Sequence, residues 1–247
     1  MEPGISVYTT WLNERGGIES DLTVNRLAQD RFLVVTAFSS QIRDADWIAR
    51  NTPADAHMTV TDVTSSWAVL GVFGPRSREI LCPLTDADLG NDAFPFGTLQ
   101  EIDLGYARAI AIRRTYMGEL GWEVYVPTEF AAGVFDALWE SGRPEGLVPA
   151  GYHAMNSLRM EKAYKAWSIE LTVENTAWEL GLGRFVVLTD REFIGRDALV
   201  AQHESGIEKR LHYVEIDTTD SDVVGGEAVL AGEELAGVMV SGAYGHR

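Results

Sequence analysis

TYMGELGWEVYVP, residues 115–127, is the stretch on which the reading of this chain turns. It sets an aromatic ring, Tyr116, and a carboxylate, Glu123, on either side of a glycine-containing turn, Met117-Gly118-Glu119-Leu120-Gly121. Tyr116 is expected to end one strand and Glu123 to sit in the next, so the antiparallel return brings ring and carboxylate into one cleft. An aromatic face beside a carboxylate suits a flat heterocycle with an amidine-like edge. The ring stacks on the heterocycle while two carboxylate oxygens accept parallel N–H bonds. Strand alternation puts Glu123 and Tyr125 on one face and Trp122 and Val124 on the other. That polar face either lines a cleft or meets solvent, and alternation alone leaves both readings open.

Outward from this stretch the pattern is of strands pairing with their neighbours. Residues 106–116 alternate as the preceding strand. Thr128 and Glu129 open a helix carrying Phe130, Val134, Phe135, Leu138 and Trp139, and a second amphipathic helix spans about 149–164. Toward the amino end, residues 7–12, 21–27 and 31–37 read as strands, the last two a hairpin turning at Ala28-Gln29-Asp30. A helix over 41–50 and strands at 58–63 and 66–73 follow. GVFGPRSREIL, residues 71–81, reads as strand, Gly-Pro turn and helix, without the glycine spacing of a nucleotide loop. Toward the carboxyl end come strands at 185–190, 211–216 and 234–240, with a brief helix at 193–199. The class is α+β. The expected division is 1–64, an antiparallel α+β part carrying Asp21; 65–190, a central part carrying Tyr116 and Glu123; and 191–247, a small β-rich module.

Bulk properties exclude several functions. The 247 residues carry a formal charge of −17, from 20 Lys and Arg against 37 Asp and Glu, and no basic patch. Neither nucleic acid nor an anionic membrane is an expected partner of such a surface. One cysteine, Cys82, excludes an internal disulfide framework, and its apolar surroundings predict a core position. The five histidines lack ligand spacing, so no metal site is expected, and no Gly-x-Ser-x-Gly elbow marks a serine nucleophile. No targeting segment or bilayer-spanning apolar run is visible, and a cytoplasmic location is expected, or the mitochondrial matrix in a eukaryote.

NERGGIESDLTV, residues 13–24, supplies a second candidate. Asp21 interrupts a strand-like stretch after a glycine pair, and aspartate is a poor strand former. It is either a turn or cap residue or a buried carboxylate acting on a nitrogen nucleophile or an iminium cation. Glu14 and Glu19 are expected to face water. In LRMEKAYKAW, residues 158–167, Arg159 belongs to a salt-bridged helix surface or reaches a buried carboxylate.

Taken in order, LNERGGIESDL, DVTSSWAVLGVFGPRSREIL, YMGELGWEVYVP, AGYHAMNSLRMEKAYKAW, ENTAWELGLGRFV, FIGRDAL and VSGAYG resemble the folate-binding family of the glycine-cleavage T protein. The likeness is closest to the C-terminal half of dimethylglycine and sarcosine dehydrogenases. The resemblance implies an aminomethyltransferase-type fold around a folate cleft, truncated at both ends, with tetrahydrofolate as cofactor. Asp21 would be the catalytic residue, with Leu22 and Thr23 contacting folate. Tyr116 would stack on the pterin and Glu123 take its edge, followed by Val124 and Tyr125. Arg184 stands where the dehydrogenase branch has a folate-site tyrosine, and Met155 where the T protein has an arginine. The implied activity is capture of an iminium or formaldehyde unit as 5,10-methylene-tetrahydrofolate, the donor being a small methylated amine. A flavin dehydrogenase domain or subunit would be the partner, with FAD present only if an upstream domain supplies it. The alternatives are a non-catalytic folate-binding or regulatory module and a glycine-cleavage aminomethyltransferase.

Overall fold

A computed structural model describes residues 1–189 and 191–245. They form two compact units that interleave along the chain. The first comprises Met1–Val7, Thr23–Val35 and Ile42–Tyr152, and the second Tyr8–Leu22, Thr36–Gln41 and His153–Arg247. Strands β1 (Ser6–Leu12), β2 (Ile18–Arg26) and β3 (Phe32–Thr36) make a three-stranded sheet in the order β1-β2-β3, its residues divided between the units.

In the first unit, α1 (Gln41–Asn51) precedes β4 (Trp67–Phe73) and α2 (Ser77–Leu81), followed by β5 (Leu99–Leu104), β6 (Ala107–Ile112), β7 (Gly121–Pro127) and α3 (Ala131–Gly142). The four strands form an antiparallel sheet in the order β4-β7-β6-β5. The alternation read from sequence explains its two faces. Trp122, Val124 and Val126 bury against Ile80 and Leu81 of α2 and Val134 and Leu138 of α3. Tyr125 turns the other way and joins Leu99, Ile110 and Ile112, with Leu27, Leu33 and Val35 packed on them. Both faces are covered, so β7 sits at the centre of the unit's apolar burial. Two local features set its register. A Cβ on Gly121 would collide with the Val72 carbonyl, so only glycine lets β7 start opposite Phe73. The Ser77 hydroxyl donates to the carbonyls of Gly74 and Leu120, at 2.8 and 2.9 Å, tying the Gly-Pro turn to the loop that leads into β7.

In the second unit, α4 (Tyr152–Glu161, mostly in this unit), α5 (Arg196–Ser205) and the hairpin β8–β9 (Ala228–Ala231, Glu234–Val238) follow the turn between β1 and β2. Its core gathers Leu12, Ile18, Leu171, Ala177, Leu180, Leu182 and Leu199.

The class is α+β, and most elements fall where alternation and helical spacing predict. The differences have local causes. Residues 58–63, 185–189 and 211–216 alternate but form no strand, because among the described residues no neighbouring strand takes up their backbone groups; Asp190, the end of the second, lies outside the described residues. Strands β5 and β8 form without a sequence expectation. Cys82 is exposed, not in the core, because Pro83 ends α2 and turns the chain into a 3-10 turn at Cys82–Leu84. Among the described residues no helix is long and apolar enough to cross a membrane, and no group of His, Cys, Asp or Glu could hold a metal ion. His246 lies outside the described residues.

Candidate functional site

On β7, Glu123 lies opposite Gly71 of β4 and Ile112 of β6, and Tyr125 opposite Val69 and Ile110. The two side chains share a face, and the Tyr125 hydroxyl donates to Glu123 Oε2 at 3.1 Å. It is the one hydrogen-bond donor to that carboxylate among the described residues, so Oε1 keeps its accepting capacity. Burial pushes the Glu123 carboxyl above the usual carboxylate range; the Tyr125 hydrogen bond and the Arg114 guanidinium pull it back only in part. Burial, with the Glu123 charge and hydrogen bond adding to it, raises the Tyr125 phenol far above its ordinary value. Tyr125 is therefore a fixed donor. The Arg114 guanidinium also donates through Nε to Ser6 Oγ at 2.6 Å. A half-desolvated carboxylate with an unused oxygen is built to accept N–H groups, and an N–H-rich or cationic ligand restores its ionised form.

Val124, between these two, is fully buried on the opposite face, in the core. Tyr116 does not end a strand as the sequence suggests. β6 stops at Ile112, and Tyr116 is half-buried in the loop before Gly121. That loop is shaped by Thr115, whose hydroxyl accepts from Met117 N–H at 3.1 Å.

Asp21 lies inside β2, not in a turn or cap. It is half-buried and takes a hydrogen bond from the Tyr8 hydroxyl at 3.3 Å. No sequence motif marks Tyr8; it is the functional candidate that sequence reasoning missed. The turn that aligns these strands is closed by Asn13. Its side-chain oxygen accepts from the N–H groups of Arg15 and Gly17, both at 3.0 Å, and its backbone N–H donates to the Gly17 carbonyl. Gly17 itself can carry no side chain, since a Cβ would collide with the Val173 carbonyl. Ile18 N–H then donates to the carbonyls of Thr172 and Asn175, at 3.1 Å each. Glu19 shares the Asp21 side of β2 and is half-buried, whereas Glu14 is exposed. Leu22 is buried on the opposite face, and the Thr23 hydroxyl accepts from Asn25 at 3.5 Å.

Arg184 sits in the 3-10 turn Gly183–Phe185, exposed, its guanidinium 4.7 Å above the Phe185 ring. Arg159 is not a surface residue. It is 1% exposed and pairs with the Glu170 carboxylate at 2.7 Å, the second of the two readings left open by sequence.

A family model described as the GCVT N-terminal domain matches residues 1–190. The chain belongs to that family. This GCVT chain is similar to 4-methylaminobutanoate oxidase (formaldehyde-forming) of Paenarthrobacter nicotinovorans, with 38% identity covering 100% of this chain and 30% of the relative. It is 33% identical to mitochondrial dimethylglycine dehydrogenase of Homo sapiens, over 98% of this chain and 28% of the relative. The chain thus spans less than a third of the length of these relatives. Among solved structures, the glycine cleavage system aminomethyltransferase T from Bartonella henselae superposes with a TM-score of 0.82 at 24% identity, over 99% of this chain and 65% of that one. That match establishes the fold. The family resemblance carried by the motif series holds for both family and fold.

Proposed function

We propose that this chain is a tetrahydrofolate-binding, one-carbon-transferring domain that serves an amine-oxidising flavoprotein, either fused to it or as a separate subunit. FAD would belong to that partner. The observation that carries the reading is the Glu123 carboxylate: half-buried, raised above its ordinary range, and met among the described residues by a single phenol. Such a group fits the N–H edge of a pterin, which offers two parallel donors.

In this reading Glu123 accepts the pterin N–H groups and Tyr125 fixes the carboxylate's orientation. Tyr116 supplies the stacking face, with Leu22, Thr23 and Val124 framing the contacts through their backbone. Asp21, oriented by Tyr8, supplies negative charge that stabilises an iminium-like cation and steers a nitrogen nucleophile. Bound tetrahydrofolate supplies the two nitrogens that take up the one-carbon unit. The formaldehyde-forming oxidase among the relatives fits a donor that releases its carbon at that oxidation level.

Calorimetry with tetrahydrofolate, paired with an assay of formaldehyde uptake, tests this. Wild type is expected to bind. Replacing Glu123 by Gln weakens binding about tenfold or more, as loss of a charge-assisted hydrogen bond does. Asp21→Asn keeps binding but lowers transfer by about 10²-fold or more, the usual cost of removing a preorganised electrostatic group. No binding by wild type, or unchanged affinity in Glu123→Gln, removes the reading. Binding without transfer by wild type selects the non-catalytic module instead.

A further inference from the structure

In the first unit two arginines meet at one ring, on the sheet face that turns away from Glu123. Arg78 comes from α2 and Arg113 from the residue after β6. Trp122 lies fully buried on that face, and the guanidinium carbons stand 5.8 Å (Arg78) and 5.6 Å (Arg113) from its ring centroid, within cation–π reach. Both side chains then converge on a single oxygen, since Nη2 of each donates to Asn91 Oδ1 at 2.8 Å. Each makes one further hydrogen bond, Arg78 Nε to the Leu89 carbonyl at 2.9 Å and Arg113 Nη1 to the Phe94 carbonyl. Every one of these acceptors is neutral. Among the described residues neither arginine has a carboxylate partner, although the chain carries 37 acidic residues against 20 basic ones. The loop's own Asp88 is turned elsewhere, its Oδ1 accepting from the Gly90 N–H at 2.8 Å.

Two like charges that share a neutral acceptor repel one another. Burial lowers the Arg113 guanidinium below its ordinary value, and the Arg78 charge lowers it further. Tying the loop down needs one guanidinium; a second beside it is unfavourable unless an anion lies between the two. Both arms are fixed in advance. The Arg113 N–H donates to the Thr98 carbonyl at 2.9 Å, and the Arg113 carbonyl accepts from the Gly97 N–H at 3.0 Å. Asn91 is exposed, so its amide can turn to solvent and vacate the bridging place. Among the described residues each guanidinium uses two of its five N–H donors and keeps the rest for a ligand.

We propose that Arg78 and Arg113 form a binding site for a phosphate-type oxyanion, one oxygen of which takes the bridging place held by Asn91 Oδ1. A phosphate group carries close to two negative charges at neutral pH, which matches the two cations, and it offers separate oxygens to each planar guanidinium. The chain's formal charge of −17 repels extended polyanions, so the ligand is inorganic phosphate or a small molecule bearing a phosphate group. The site is separate from Glu123 and does not rest on the folate reading.

Titration calorimetry at fixed ionic strength tests this with inorganic phosphate, methyl phosphate and succinate. Wild type is expected to bind phosphate. Binding of phosphate alone assigns the free ion, and binding of methyl phosphate as well assigns the group on a larger ligand. Arg78→Gln and Arg113→Gln should each weaken phosphate binding about tenfold, as loss of a charge-assisted hydrogen bond does. Because both arginines also tie down the loop, Asn91→Ala supplies a separate check. It leaves the two cations without their shared acceptor, so its Tm in chloride should fall below wild type. Phosphate should restore that loss, while giving the Arg78→Gln/Arg113→Gln double variant only the general stabilisation that phosphate lends any folded chain. No binding by wild type, tighter binding of succinate than of phosphate, or an equal Tm gain from phosphate in Asn91→Ala and the double variant overturns the proposal.

Discussion

Two glutamates, one in each unit, are shielded from water and behave in opposite ways. Burial pushes the Glu170 carboxyl up, but hydrogen bonds from Arg159, Ser241 and the Ala166 N–H, with the Arg159 charge, outweigh it and hold the group below the usual range. Each oxygen has a partner: Arg159 Nη1 at 2.7 Å and Ser241 Oγ on Oε1, and Ala166 N–H at 2.8 Å on Oε2. Glu123 has one phenol and a neighbouring arginine already engaged with Ser6, and it stays raised. Burial does not separate these sites. Saturation of the lone pairs does: a carboxylate whose acceptors are filled by its own chain is part of the scaffold, and one left short of donors awaits a ligand.

The largest expected effect breaks the saturated site. Arg159→Leu leaves Glu170 buried without its cation, a change that typically costs about 3–5 kcal/mol. For a chain of this size that corresponds to a fall in Tm of roughly 10 °C. Scanning calorimetry checks it, and a loss below about 1 kcal/mol would show that the network is not structural and dissolve the contrast. The pH dependence follows from the lowered carboxyl. Its stabilising contribution is complete above the ordinary glutamate value of about 4.3 and is lost as pH falls through the lower, folded one.

At Glu123 the sign reverses. Because its folded carboxyl is raised, stability falls as pH rises from the ordinary glutamate value through the folded one, and the ionised form is strained at neutral pH. Glu123→Gln is accordingly expected to leave Tm unchanged or raise it. Ligand binding runs the other way, since the carboxylate is the accepting form. Affinity for tetrahydrofolate should be full above the raised value and decline on acidification through it, earlier than an ordinary glutamate would allow. Calorimetric titration from neutral to acidic pH reads this directly. The Gln variant should bind about tenfold more weakly at neutral pH and lose the pH dependence. A Tm collapse in Glu123→Gln would put the residue among the scaffold groups.

How much of this was legible in the chain depends on whether a feature is local. The Glu123–Tyr125 face follows from period-two alternation within one strand, and the faces of β7 divide as that rule requires. Asp21 was legible as an aspartate where a strand former belonged. Its partner was not, because Tyr8 carries no motif. The signal was hairpin counting: the bond between Asn13 and Gly17 closes the turn, and equal steps outward reach Tyr8 on one strand and Leu22, beside Asp21, on the other. For Arg159 two alternatives stayed open, and nothing in the sequence named Glu170 as the buried carboxylate it reaches. Their pairing depends on Ser241, far along the chain, and on a loop whose left-handed residues are alanine and serine, types that announce no turn. The strands expected at 58–63 and 211–216 fail for a related reason: alternation describes a strand's faces but not the partner that completes its backbone bonds.

The smallest predicted change is the most discriminating. Tyr125→Phe removes the only hydroxyl that, among the described residues, donates to Glu123, and leaves the burial of both groups intact. That hydrogen bond lowers the carboxyl, so its loss lets burial push Glu123 further up. Affinity for tetrahydrofolate well above the transition should fall only about three- to fivefold, the worth of one modest hydrogen bond. The midpoint of the pH–affinity curve should meanwhile move to higher pH, and Tm should shift by no more than a few degrees. A midpoint that stays at the wild-type pH means the phenol does not tune the carboxylate. The difference between Glu123 and Glu170 would then rest on the presence or absence of a paired cation alone, and Arg114, whose charge lowers the Glu123 carboxyl, becomes the residue that decides how much ionised carboxylate the ligand meets.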